Sequence, residues 1–213
     1  MMTTIMQQGG WMMWPLFALS VLALAVMCER AMFYGGLGFP STKLNAALNA
    51  ALADRDVTAL DAALPVDHAV FGRYFEELQR MCRESGAEDP GQTQDVLDIL
   101  AQEITGRLDA RLPLLGVIVR AAPLMGLLGT VLGMINTFSR LAATQGGVDL
   151  MVLAEGIWQA LLTTAAGLII AIPVLLVQYW FISRKRRAMD ALYRLSGAVF
   201  VLCPASGENR HEG

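Results

Sequence analysis

The chain has 213 residues, is 55% hydrophobic and carries 16 Lys/Arg against 19 Asp/Glu, for a net charge of −3. Its mean hydropathy of +0.48 comes from long apolar runs. That argues for a membrane protein over a soluble domain and leaves no basic surface for nucleic acid. Three scattered cysteines, Cys28, Cys82 and Cys203, form no CxxC pair; they exclude a disulfide framework and read as free thiols facing a reducing compartment.

Residues 1–10 carry no charged side chain, and residues 11–28 are uncharged and mostly apolar. The latter run can cross a bilayer with help from its flanks, and Trp11 and Trp14 sit at one end as an interfacial belt would. It has no basic leader, so it is read as a first span and not as a cleaved signal. Glu29-Arg30 closes its other end.

Residues 29–112 hold eight Lys/Arg and fourteen Asp/Glu, a soluble acidic insert between spans. Ser41 and Thr42 can cap a helix whose apolar face is Leu44, Leu48 and Leu52. Asp56 can cap a short second helix that ends at Pro65. A third helix is predicted from Asp67 to Glu84 around Val70, Phe71, Tyr74, Phe75, Leu78 and Met81, and Gly86 to Gly91 reads as a loop. A long helix then starts near Gln92, with Leu97, Leu100, Ile104 and Leu108 on one face. It is predicted to continue without a break into the second span, residues 113–137.

That second span contains one charge, Arg120, placed at or below the bilayer surface because arginine snorkels. Residues 138–155 form a short loop. The third span, residues 156–183, is 28 uncharged residues, about 42 Å of helix against a hydrocarbon core of about 30 Å. Helices two and three are therefore both expected to project beyond the bilayer on one side. Pro123 and Pro173 are candidate kinks. Arg184, Lys185, Arg186 and Arg187 anchor the topology, and a helical tail follows within 184–213, with Met189, Leu192, Tyr193 and Val199 available for packing. The tail from Arg184 carries six Lys/Arg, the loop 138–155 carries only Arg140, and the N-terminus has none. The positive-inside rule therefore puts the insert and tail in the cytoplasm.

Chemistry is sparse. Span two sets Gly126, Gly129, Thr130, Gly133 and Thr137 on neighbouring helical faces. Span three sets Gly156, Ala160, Thr164, Gly167 and Ala171 at spacings of three or four. Small residues let helices approach closely in lipid, and threonine hydroxyls both donate and accept. No Asp, Glu, Lys or His lies centrally in any span, yet a proton relay needs such a group. His68 and His211 are isolated. No nucleotide loop, nucleophile elbow or paired catalytic carboxylates occur, so no enzyme, metal or cofactor is predicted.

The stretches Ala122-Pro123-Leu124-Met125-Gly126-Leu127-Leu128-Gly129-Thr130-Val131-Leu132-Gly133-Met134 and Gly156-Ile157-Trp158-Gln159-Ala160-Leu161-Leu162-Thr163-Thr164-Ala165-Ala166-Gly167-Leu168, continuing to Ala171-Ile172-Pro173, resemble the MotA/TolQ/ExbB proton-channel family, in particular its ExbB/TolQ branch. The start, Gly10-Trp11-Met12-Met13-Trp14-Pro15 with Leu22–Ala25 and Glu29-Arg30, matches less closely, and residues 41–95 match only in general character. The resemblance implies an all-α membrane protein with three transmembrane helices, two of them extended into a cytoplasmic helical bundle. It also implies a homopentameric ring in a bacterial inner membrane, with a periplasmic N-terminus and a cytoplasmic C-terminus. The implied partner, ExbD or TolR, supplies a single span with one aspartate, and a TonB-like or TolA-like transducer receives the work. Thr130, Thr163, Thr164 and Gln159 would line the proton path, with Thr130 and Thr164 facing that aspartate. Gly126, Gly129, Gly133, Gly156, Ala160 and Gly167 would pack the helices. Gln159 departs from the glutamate many members carry there and cannot titrate near neutrality. A transporter acting alone lacks support, having no intramembrane charge, half-helices or repeats. Gln159 keeps a non-conducting scaffold as an alternative.

Overall fold

A computed structural model describes residues 11–36, 49, 70–83, 90–143 and 150–202. It contains the helices α1 (Met13–Gly36), α2 (Gly72–Arg83), α3 (Pro90–Asp109), α4 (Leu112–Ala143) and α5 (Leu150–Leu202), and no strand among the described residues. The protein is all-helical. Stretches long and apolar enough to cross a bilayer lie in Met13–Gly36, Gln94–Ala143 and Leu150–Val199. The helices expected after Ser41 and Asp56 lie outside the described residues, as do residues 67–69 and 84–89.

Several boundaries differ from the sequence reading. α1 continues past Glu29-Arg30 to Gly36: a charge ends an apolar run but not a helix, and no poor helix former intervenes before Gly35-Gly36. α2 starts at Gly72, after a turn at Val70-Phe71. α3 starts at Pro90, where a missing N–H costs nothing. α4 and α5 both extend into the segment read as loop 138–155, to Ala143 and from Leu150.

The expected unbroken helix into span two is interrupted. Ala110 and Arg111 form a turn, and Arg111 has φ 63°, a left-handed conformation uncommon for a residue with a side chain. Pro113 explains the break. It has no N–H for the Asp109 carbonyl, so the α3 ladder cannot continue through it, whereas its fixed φ suits the first turn of a new helix.

The chain divides into two compact units. The first comprises α1 to Phe33, α4 with Arg111, and α5 to Phe181. In it Leu16, Ala122 and Ala171 are buried together, with Met13, Met125, Ala166 and Ile170 packed around them. The Glu29 carboxylate pairs with Arg111, and also with Arg30 at 3.4 Å. Arg30 is buried and lies 5.0 Å from the Phe33 ring centre.

The second unit contains the end of α1 from Tyr34, α2, α3 and α5 from Ile182. Phe71, Tyr74, Phe75 and Leu78 are buried, as are Leu97, Ala101, Ile104 and Leu108 of α3. On α5 the buried residues include Ala188, Met189, Leu192, Leu195, Ala198 and Val199. Tyr193, expected to pack, is 56% exposed, because the buried stripe recurs every three or four residues and leaves it on the flank. The Tyr34 hydroxyl donates to the Leu108 carbonyl at 3.1 Å. Lys185 Nζ reaches both Asp109 carboxylate oxygens at 2.7 Å. Burial pushes the Tyr74 hydroxyl above its ordinary 10.0, against a hydrogen bond with Ser196 that lowers it.

Candidate functional site

α4 and α5 face each other along a seam of small residues in the first unit. Ala122 and Gly126 meet Gly167, Gly126 and Gly129 meet Thr163, Gly133 meets Ala160, and Thr137 meets Gly156. Residue numbers rise along one helix as they fall along the other, so the pair is antiparallel. The approach requires glycine at specific points. A methyl group on Gly167 would lie 2.5 Å from the Ala122 carbonyl oxygen. One on Gly126 would lie 2.9 Å from the Thr163 carbonyl oxygen, and one on Gly129 would lie 2.7 Å from the Thr163 hydroxyl. One on Gly156 would lie 2.7 Å from Thr137 Cβ. At Gly133 the nearest atom would be 3.5 Å away, so that glycine is the least constrained.

The threonine hydroxyls all turn onto backbone carbonyls. Thr130 Oγ1 donates to Leu127 at 2.7 Å, Thr137 Oγ1 to Gly133 at 2.8 Å, and Thr163 Oγ1 to Ala160 at 2.7 Å. Thr164 Oγ1 donates across the seam to the Gly126 carbonyl at 3.3 Å, and Thr163 Oγ1 lies 3.3 Å from the same oxygen. A hydroxyl that donates to a carbonyl keeps its lone pairs, so it can accept from water or a protonated carboxyl, and rotation lets it donate instead.

Placement separates the sequence candidates. Thr163 is 2% exposed and sits inside the seam. Thr130, Thr164 and Gln159 are half-buried, Gly126, Gly129, Gly156, Ala160 and Gly167 are buried, and Gly133 is half-buried. Arg186 and Arg187 are exposed; Arg184 and Lys185 are half-buried, Lys185 through its pair with Asp109. Two participants were not read as site residues from the sequence. Ala122 carries a carbonyl tight against Gly167. Gln178 donates to the Leu112 carbonyl at 3.4 Å and lies over Gly116; an amide in an otherwise apolar run was the available signal.

The seam and its threonines fall within the part of the chain that known proteins share. Residues 66–193 match the MotA/TolQ/ExbB proton channel family. An ExbB-like biopolymer transport protein of Synechocystis sp. is 35% identical over 186 residues, covering 86% of this chain and 71% of that protein. The biopolymer transport protein exbB1 of Vibrio cholerae is 32% identical over 176 residues, covering 79% and 74%. The Tol-Pal system protein TolQ of Pseudomonas aeruginosa is 32% identical over 127 residues, covering 58% and 54%. With its apolar helices, these similarities establish a multi-pass membrane protein that belongs to the MotA/TolQ/ExbB proton channel family, in the ExbB/TolQ branch.

Proposed function

We propose that the protein is the ring subunit of an inner-membrane proton-driven motor. Five copies would surround the single spans of an ExbD/TolR-like partner and drive TonB-dependent outer-membrane transport. The observation that carries this reading is the pair of half-buried hydroxyls of Thr130 and Thr164, next to a seam without a titratable group. Such a wall can hydrogen-bond a carboxyl and accommodate its change of protonation, while the proton binder comes from elsewhere. Protonation neutralises the partner aspartate and frees it to move relative to the ring. One charge moving across 100 mV releases about 2.3 kcal/mol, so substantial work needs several protons. Thr163, buried between the helices, would act from the second layer, and Gln159 would position by hydrogen bonding without exchanging a proton. In this reading the second unit, with Arg184–Arg187, is cytoplasmic. A TolQ-like role in Tol-Pal envelope maintenance is the second reading, supported by the similarity to the Pseudomonas aeruginosa protein.

The test is the native mass of the complex purified in mild detergent with its co-expressed single-span partner. A five-to-two complex supports the motor. A homo-oligomer that never retains a partner leaves the ring without a proton binder and favours a scaffold. In the intact complex, Thr164→Val is expected to abolish coupling while leaving the mass unchanged. Normal coupling in that variant removes Thr164 from the path.

A further inference from the structure

We infer that the bilayer surface on the Leu112 side of α4 lies at Arg120, where the guanidinium and the Gln178 amide dock lipid phosphodiester headgroups, so that the first turns of α4 stand in water.

Arg120 is the one charged residue between Leu112 and Ser139, and it is exposed. Helical side chains tilt toward their own N-terminus, and α4 begins on the Leu112 side. Accordingly the Arg120 side chain folds back one turn. Its Nη2 lies 3.8 Å from the point a Gly116 Cβ would occupy, and Gln178 Nε2 lies 2.8 Å from the same point. Two nitrogen donors thus converge above a glycine that leaves room for them. The next two residues of α5, Tyr179 and Trp180, are 71% and 44% exposed, and such aromatic rings settle at headgroup level.

The opposite ends of these helices fix the scale. Arg140 on α4 is exposed, and Trp158 on α5 is 61% exposed. At about 1.5 Å per residue, Arg120 to Arg140 is about 30 Å and Trp158 to Trp180 about 33 Å. Both match a hydrocarbon core of about 30 Å. A span drawn over residues 113–137 would instead leave Arg120 within the core, where arginine is disfavoured. With the boundary at Arg120, the Glu29–Arg111 pair lies about 13 Å beyond it in water. None of this depends on the partner aspartate or on proton flux.

Val117 and Leu124, 59% and 64% exposed, lie seven residues apart on one face of α4, either side of the inferred surface. With Cys28, Cys82 and Cys203 replaced by serine, a single cysteine at either position would carry a bimane. The full chain would be reconstituted in phosphatidylethanolamine/phosphatidylglycerol vesicles containing nitroxide in the headgroup or at mid-chain. The label at 117 is expected to be quenched more by the headgroup nitroxide, and the label at 124 more by the mid-chain nitroxide. Arg120→Leu should move the label at 117 toward mid-chain quenching, and Arg120→Lys should not. Equal mid-chain quenching at both positions would overturn the proposal. So would an unchanged profile in Arg120→Leu, or no lipid quenching at either position, which would mean that another protein surface covers this face and supplies the arginine's counter-charge. If Arg120→Leu fails to reach the native mass, the profiles of the unsubstituted chain and Arg120→Lys decide.

Discussion

Gly167 and Gly133 occupy the same kind of position in sequence, small residues in an apolar helix, but they meet different neighbours. A methyl group at 167 collides with the Ala122 carbonyl oxygen, and backbone cannot rotate aside. Gly167→Ala should therefore lower the thermal stability of the detergent-purified protein by about 1–3 kcal/mol, as overpacking does. Gly133→Ala meets Ala160 at ordinary contact distances of 3.5 Å and more and should be neutral or gain about 0.5–1 kcal/mol from restricting the unfolded chain. A second residue-level prediction concerns Tyr74, whose hydroxyl burial holds above 10.0. The folded state binds that proton more tightly than the unfolded chain does. Its contribution is therefore complete below pH 10 and is lost as pH rises through the folded value. Unfolding monitored by circular dichroism should show an alkaline loss of stability that Tyr74→Phe reduces.

At the scale of elements, α3 and the end of α5 are joined by Lys185 and Asp109, with Thr105 Oγ1 3.4 Å from Met189 Sδ nearby. Both charged groups remain partly exposed, so Lys185→Met should cost about 1 kcal/mol or less. High salt should shrink the difference between wild type and variant in a melting experiment. The sequence made the helices legible and their joints less so. Leu97, Ile104 and Leu108 announce the buried face of α3 by their spacing, and the apolar runs announce the spans. The break at Ala110-Arg111 is hidden by the hydrophobic pattern, which continues across it, and only Pro113 signals it. The Glu29–Arg111 and Lys185–Asp109 pairs could not be read at all. Their partners are far apart in the chain, and only folding selects one opposite charge among many. Of the candidate site, the small-residue stripes show at spacings of three and four, but the match of Gly156 to Thr137 does not. Nor does the turning of each hydroxyl onto a carbonyl, which depends on rotamers.

For the whole molecule, the apolar helices and the family place the chain in a membrane, with no titratable group central in the spans. The subunit reconstituted alone should therefore differ from the complete complex in how it handles protons. The closeness of α4 and α5 gives that difference a physical form. Where a Gly167 methyl would lie only 2.5 Å from the Ala122 carbonyl oxygen, there is no room for a file of water molecules between the two helices, so this pair is expected not to conduct on its own. Vesicles containing this subunit without its partner should hold an imposed pH gradient as long as empty vesicles do, read with an internal pH dye. Rapid collapse of that gradient would show that the helices leak. A tight hairpin would spare a cell that makes this subunit in excess from dissipating its proton gradient through the surplus copies.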